Sequence, residues 1–295
     1  MIIDIRYHII TLVAVFLMLG VGILIGTTMV GNETLTRQQE EIADRLEEQW
    51  NRLRLETLEV HERCDRLEEE NSTLQLITQK IAQFTVAGRL DGVRVAVFEV
   101  GGPASAELLH DLNTAGAVVE PVITLMDEFD LADRQAKIAQ DFGWHGKKPE
   151  EVRAQVAREI GRAVATGRNP TFVDYLNREG LISTTGNCNV PAQAAVVIGG
   201  VEGTDIRRVS VVDLNIIDGL VSEGVVLTAV EESSDNGNSI KEYQKRKIST
   251  VDNIDTPWGR AALVLSLSGH PGHYGSKPTA EQMLPSYSSV RNGTT

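Results

Sequence analysis

From Ile9 to Val30 the chain runs for 22 residues without a formally charged side chain. At a rise of ~1.5 Å per residue a helix over that stretch is ~33 Å long, enough to cross the hydrocarbon core of a bilayer. A membrane span is therefore the first element any fold of this chain has to accommodate. The competing reading is a cleaved export signal, whose apolar region is ~7 to 15 residues long and ends at a small-residue site. Gly26-Thr-Thr-Met-Val30 offers no A-x-A, which favours the anchor. Arg6, partly offset by Asp4, is the basic residue ahead of the span, and Glu33 opens the far flank. That slight positive-inside bias places residues 1–8 in the cytoplasm, the span at 9–30 in a bacterial cytoplasmic membrane and the bulk of the chain outside it. Within the span, Gly22 and Gly26 form a GxxxG pair that lets two helix backbones approach closely. Ordinary glycine usage in an apolar span explains the pair equally well.

Residues 32–84 contain neither proline nor glycine, and Leu46, Leu53, Val60, Leu67, Leu74 and Ile81 recur every seventh position. Such a heptad column predicts a coiled-coil stalk. With that column as d, the a column reads Ala43, Trp50, Thr57, Cys64, Asn71 and Thr78. A buried Asn at a favours two strands in fixed register, so the expected interface of a parallel homodimer comprises Leu46, Trp50, Leu53, Val60, Cys64, Leu67, Asn71, Leu74 and Ile81. The pairs Glu56 with His61 and Arg63 with Glu68 are complementary between two parallel copies. A solvated single helix or a hairpin packed on its own domain is the alternative, kept open by the weakly apolar a column, although no turn signal interrupts the stretch.

After the loop at 87–92 the pattern changes to near-continuous apolar runs, Val93–Phe98, Ala117–Ile123, Ala194–Ile198 and Val225–Val230, of the kind buried on both faces of a parallel sheet. Helical stretches Ser105–Ala115, Pro149–Thr166, Pro170–Glu179 and Ser210–Ser222 alternate with them. Thr256 followed by Pro257 reads as a helix start that ends before Gly269. The expected fold is thus α/β: a membrane helix, a long coiled-coil helix, and a doubly wound, mostly parallel sandwich over 92–275, followed by a flexible tail at 276–295.

Ligands of such sheets sit beyond the carboxyl ends of the strands. Glu99-Val-Gly-Gly-Pro103 has neither the GxGxxG spacing nor a Walker lysine and reads as a turn. The acidic loop Glu231–Asn238 lacks EF-hand spacing and reads as solvated. Asp252 and Asp255 are a general acid and base pair or turn formers, and the absence of an accompanying nucleophile motif favours turns. No catalytic residue is assigned and the chain reads as a non-enzyme. A net charge of -13 argues against nucleic acid as a partner.

The opening Ile3-Asp-Ile-Arg-Tyr-His8 with its span, the acidic stalk, the segment Ile248–Pro257, and the tail Gly269-His-Pro-Gly-His-Tyr-Gly275 with Lys277–Pro285 together resemble the family of mycobacterial-type copper transport protein B (MctB). The resemblance runs nearly end to end. It implies a role in copper homeostasis or efflux at the cell envelope, and its corynebacterial relatives are implicated in cell division and peptidoglycan-hydrolase control. That makes a scaffold for an envelope or division partner the alternative function. Copper is the metal so implied, and no cofactor is otherwise assigned.

Cu(I) favours Cys and Met, of which the chain has 2 and 5 without a Met-rich cluster. His61 and Cys64 lie at i and i+3 on one helical face, so a parallel dimer would gather two thiolates and two imidazoles. A plain apolar a position and an interchain disulfide are the rival readings of Cys64. His270 and His273 in the Gly-rich segment are the second metal candidate, incomplete as two imidazoles alone.

Overall fold

The computed structural model describes residues 5–126, 129, 131, 134–200, 209–235 and 238–286, with backbone alone for 28, 30–36 and 238. Residues 1–4 of the expected cytoplasmic end, 236–237 of the acidic loop and 287–295 of the expected tail lie outside these. The chain divides into two units, Met1–Ser72 and Thr73–Thr295.

Helix α1 runs from Ile5 to Val86, as expected of a stretch whose second half has no helix breaker. Its first 23 residues, Ile5–Thr27, are long and apolar enough to span a membrane, and none of the window is buried within the chain. Between Leu46 and Leu67 the apolar side chains of the heptad column are all exposed.

In the second unit, the last turns of α1 contribute Ala82 and Val86 to a core shared with Leu90, Val95, Leu108 and Leu112. Strands β1 (Arg94–Glu99), β2 (Val118–Leu125), β3 (Ile182–Thr185), β4 (Ala194–Ile198), β5 (Val226–Val230), β6 (Ser249–Val251) and β7 (His273–Tyr274) form one sheet ordered β3-β2-β1-β4-β5-β6-β7. All neighbouring pairs are parallel except β2 with β3. The chain enters in the middle at β1, winds out through β2 to β3, returns to β4 beside β1 and winds out the other way. The topological switch therefore lies between β1 and β4.

Successive residues of β1 and β4 face opposite cores, Ala96 and Phe98 one, Val95 and Val97 the other. Both faces are covered, which is why these strands read as continuous apolar runs. One face carries α3 (Gln135–Asp141), α4 (Pro149–Thr166), α5 (Pro170–Arg178), α6 (Leu214–Ser222, entered through a π-turn at Val209–Asp213) and α7 (Asn238–Gln244). The other carries the end of α1, α2 (Ala106–Thr114) and α8 (Pro257–Leu267). The starts of α2 and α8 are fixed as their sequences suggest: the Ser105 hydroxyl accepts from Leu108 N, and the Thr256 hydroxyl from Gly259 N at 3.1 Å with Pro257 in the first turn.

Besides the unexpected short elements β3, α3 and α7, three segments depart from the expected pattern. The segment Ser249–Gly259, read as a specified loop, begins as strand β6, and the Gly-rich segment around His273 contributes β7. Residues 276–286, expected in a flexible tail, continue back along the edge of the sheet, with Glu281 N donating to His273 O at 2.9 Å and Gly275 N to Gln282 O at 3.1 Å. Pairing with a formed edge, rather than an apolar run of their own, gives these residues their conformation.

Candidate functional site

At the switch point between β1 and β4 the turn reading of Glu99–Pro103 holds. Val100 N and Gly101 N both donate to Ile198 O, at 3.1 and 2.8 Å. A Cβ on Gly101 would lie 2.6 Å from the Gly199 carbonyl carbon, so the two backbones are in direct contact. Glu99 closes the turn, accepting from Ala104 N at 2.7 Å and the Thr124 hydroxyl at 2.5 Å. The amides that a phosphate cradle would need are turned onto protein acceptors.

The polar chemistry lies further along, at the ends of β5 and β6. Glu231 is completely buried, and its Oε1 accepts from the Lys277 ammonium at 2.7 Å. The same ammonium donates to the Glu232 carbonyl at 2.6 Å. Asp252, also buried, accepts from Ser276 N at 2.8 Å, Lys277 N at 3.2 Å and the Thr279 hydroxyl at 3.3 Å. Burial pushes the Glu231 carboxyl above its ordinary pKa, while the Lys277 ammonium pulls it back. Asp255 accepts from Ser233 N at 2.7 Å and the Ser233 hydroxyl at 2.5 Å. Both aspartates thus tie down segments distant in sequence, Asp252 at 276–279 and Asp255 at Ser233, beyond the local turn forming expected of them. Beneath them the Tyr243 hydroxyl donates to Asp213 at 2.6 Å, and burial drives its pKa well above the ordinary phenol value.

The two C-terminal histidines differ in environment. His270 is buried, with Nδ1 3.2 Å from Leu265 O and Nε2 enclosed without a hydrogen-bond partner. His273 is half-buried on β7, its Nδ1 3.0 Å from the Thr250 hydroxyl. It borders an open groove of about 660 Å³ lined also by Val226, Gln244, Lys247 and Glu281.

On α1, His61 and Cys64 are both exposed one turn apart. His61 Nδ1 lies 2.8 Å from Thr57 O. That bond fixes the ring and leaves Nε2 outward, the arrangement in which a histidine commonly presents itself to a metal. Cys64 is a free thiol. Among the described residues no group of three or more His, Cys, Asp or Glu is placed to hold a metal ion. Gly22 and Gly26 face open space on α1.

A family model described as copper transport outer membrane protein, MctB, matches residues 2–285. The chain belongs to the MctB family. None of the curated proteins matches it. Membership gives the chain a role in copper transport and homeostasis, with copper as the cargo. For an MctB-family chain the soft-ligand inventory is short, because Cu(I) prefers thiolate and the cysteines are Cys64 and Cys188. Cys188 is half-buried, and burial together with Asp174 pushes its thiol pKa up, away from the ligating thiolate. Cys64 is exposed and has an oriented imidazole one turn away. The Glu231–Lys277 pair escaped sequence reasoning altogether, since its partners are 46 positions apart and no spacing signal connects them.

Proposed function

We propose that this protein acts in copper homeostasis as a single-pass, parallel homodimer, with the Cys64 thiolates and His61 imidazoles of two paired helices forming its copper-binding site. The observation that carries this is the exposed heptad column on α1: Leu46, Trp50, Leu53, Val60, Leu67, Leu74 and Ile81 are each more than half exposed in the single chain. A column of that length on a lone helix leaves a large apolar surface in water, and a second identical helix is what covers it in register. One chain brings two ligands and two chains bring four, enough for a Cu(I) site of two thiolates and two imidazoles. The oriented His61 Nε2 supports the same assignment. An α-helix as apolar as Ile5–Thr27 is retained by the cytoplasmic membrane's insertion machinery, which favours anchorage there. With Arg6 inside, the domain faces the envelope compartment bounded by the outer membrane of the family's description.

The test is cell-associated copper under a sublethal copper load. A strain lacking the gene should accumulate copper, and complementation with the wild type should reverse this. Cys64→Ser and His61→Ala should fail to reverse it while still dimerising. Unchanged copper in the strain lacking the gene would sink the reading.

A second reading, a coiled-coil scaffold for a division or peptidoglycan-hydrolase partner, draws support from Leu55 and Leu58. Both are more than half exposed yet lie off the heptad seam, at f and b. A homodimer would leave them uncovered, as a binding stripe for a further helix.

A further inference from the structure

The buried end of β5 and β6 is built around a cation. Four carboxylates, Asp213, Glu231, Asp235 and Asp252, belong to one neighbourhood linked by hydrogen bonds and close charge interactions with Tyr243 and Lys277. Gly200 permits the crowding: a Cβ there would fall inside the Asp235 carboxylate and 3.0 Å from the Glu231 Cβ. Gly275 does the same on the opposite side, where a Cβ would fall inside the Asp252 carboxylate. Besides accepting from Lys277 through Oε1, Glu231 turns its second oxygen, Oε2, into this interior, where the Ile240 backbone lies within its reach. A fully buried carboxylate is costly unless a cation sits in reach.

The segment that delivers the cation is held very differently from the rest of the domain. After Tyr274 and Gly275 the segment has no buried residue as far as Ser286, so it contributes almost nothing to either apolar core. Its attachments are polar: the three bonds to Asp252, the Lys277 contacts, and Gln244 Nε2 donating to Thr279 O at 2.8 Å. Segments held by hydrogen bonds at the edge of a fold open locally at lower free energy than the core.

We propose that Glu231 and the Glu232 carbonyl form a binding site for a primary ammonium, which Lys277 occupies in cis on a displaceable strap running from Gly275 to Ser286. The compact, multiply donating ammonium suits the site: one N–H meets the carboxylate at 2.7 Å and another the carbonyl at 2.6 Å. When the strap lifts, the vacated pocket takes an external primary alkylammonium. This assignment is independent of the copper site on α1.

The test uses the full chain in detergent with n-butylammonium as probe. Lys277→Ala should lower the melting temperature by on the order of 10 °C, as expected for breaking a buried pair, and raise hydrogen exchange of the 275–282 amides at least tenfold. Tens of millimolar butylammonium should reverse both changes in this variant, with no such effect on the wild type or on Glu231→Gln/Lys277→Met. Tetramethylammonium, which cannot donate a hydrogen bond, should not substitute. Equal responses of all three proteins to butylammonium would overturn the site. If Lys277→Ala does not fold, amine acetylation of the wild type decides. Lys277 should react at least tenfold more slowly than exposed Lys241, and Glu231→Gln should remove that protection. Equal rates in the wild type would refute the proposal.

Discussion

Ile81 and Ala82 are consecutive residues on α1, yet Ile81 is 60% exposed while Ala82 is 8% exposed and packed into the core of the second unit. One helical turn on, Val86 follows Ala82 into the same core, whereas one turn back Ile77 and two turns back Leu74 stay exposed with Ile81. The domain grips the helix by its e and b positions and leaves the d residues Leu74 and Ile81 exposed, with Thr78 at a half-buried. Docking of the helix end on the domain therefore leaves these two d residues free for a second helix. Substituting the two residues should separate two properties. Ile81→Asp is expected to weaken self-association, seen by sedimentation equilibrium, with little change in the melting of the domain. Ala82→Asp forces a carboxylate into an apolar contact, at about 2 to 4 kcal/mol, and should lower the domain's melting temperature by about 5 to 10 °C without changing the oligomeric state. The same response from both variants would contradict the division of faces.

Asn71 tests the seam from within. At an a position of a two-stranded coil a polar amide favours register and strand number at a cost in stability. Asn71→Leu should raise the helix melting temperature and, at the same time, broaden the distribution of oligomers in native mass spectrometry. A coil of unchanged stability and unchanged stoichiometry would remove Asn71 from the seam.

The contact between α4 and α6 offers a test of the domain alone. A Cβ on Gly161 would fall inside the Ile216 carbonyl oxygen, and a Cβ on Gly219 inside the Arg158 carbonyl oxygen, so the two helices approach backbone to backbone. Nothing flexible can give way there. Gly161→Ala should cost about 1 to 3 kcal/mol, as overpacking does, and lower the melting temperature by about 3 to 10 °C. Gly102, with open space around it, serves as the control. Gly102→Ala should stay within about 0.5 kcal/mol of the wild type.

The four long strands were legible because burial on both faces writes a continuous apolar run, as in Ala194–Ile198, where every residue is buried. Strands β3, β6 and β7 were not, for a physical reason: Ile182-Ser-Thr-Thr185, Ser249-Thr-Val251 and His273-Tyr274 are short, polar and shaped by the neighbours they pair with. The seven-residue helices α3 and α7 are likewise too short to show a period of their own. At the strand-end site Asp252 was visible only as a turn former or as half of an acid–base pair. Its role as acceptor for the backbone of 276 and 277 depends on a chain reversal 24 residues later. The family resemblance, by contrast, was legible because it rests on several separated segments, and the match over 2–285 includes them all.

Tyr175 provides a prediction in pH. Its hydroxyl donates to Asp141 at 3.0 Å, its ring meets Phe142 edge-on with centroids 5.1 Å apart, and Lys137 lies over its face at 5.9 Å. Burial, then the bond to Asp141 and the charges of Asp141 and Glu179, push its pKa up to about 12, against a smaller opposing effect of Arg134. Because the folded value lies above the ordinary 10.0, the folded chain holds this proton where the unfolded chain has lost it. The contribution to stability is thus complete below pH 10 and is lost as pH rises through about 12. In near-ultraviolet absorbance, the difference between the titrations of wild type and Tyr175→Phe should be a single step near 12, and the variant should lose less stability than the wild type across that interval. Asp141→Asn should bring the step partway back toward 10, since burial, the largest cause, remains. A step already at 10 in the wild type would show that the ring is open to solvent and that α3 does not hold Asp141 against it.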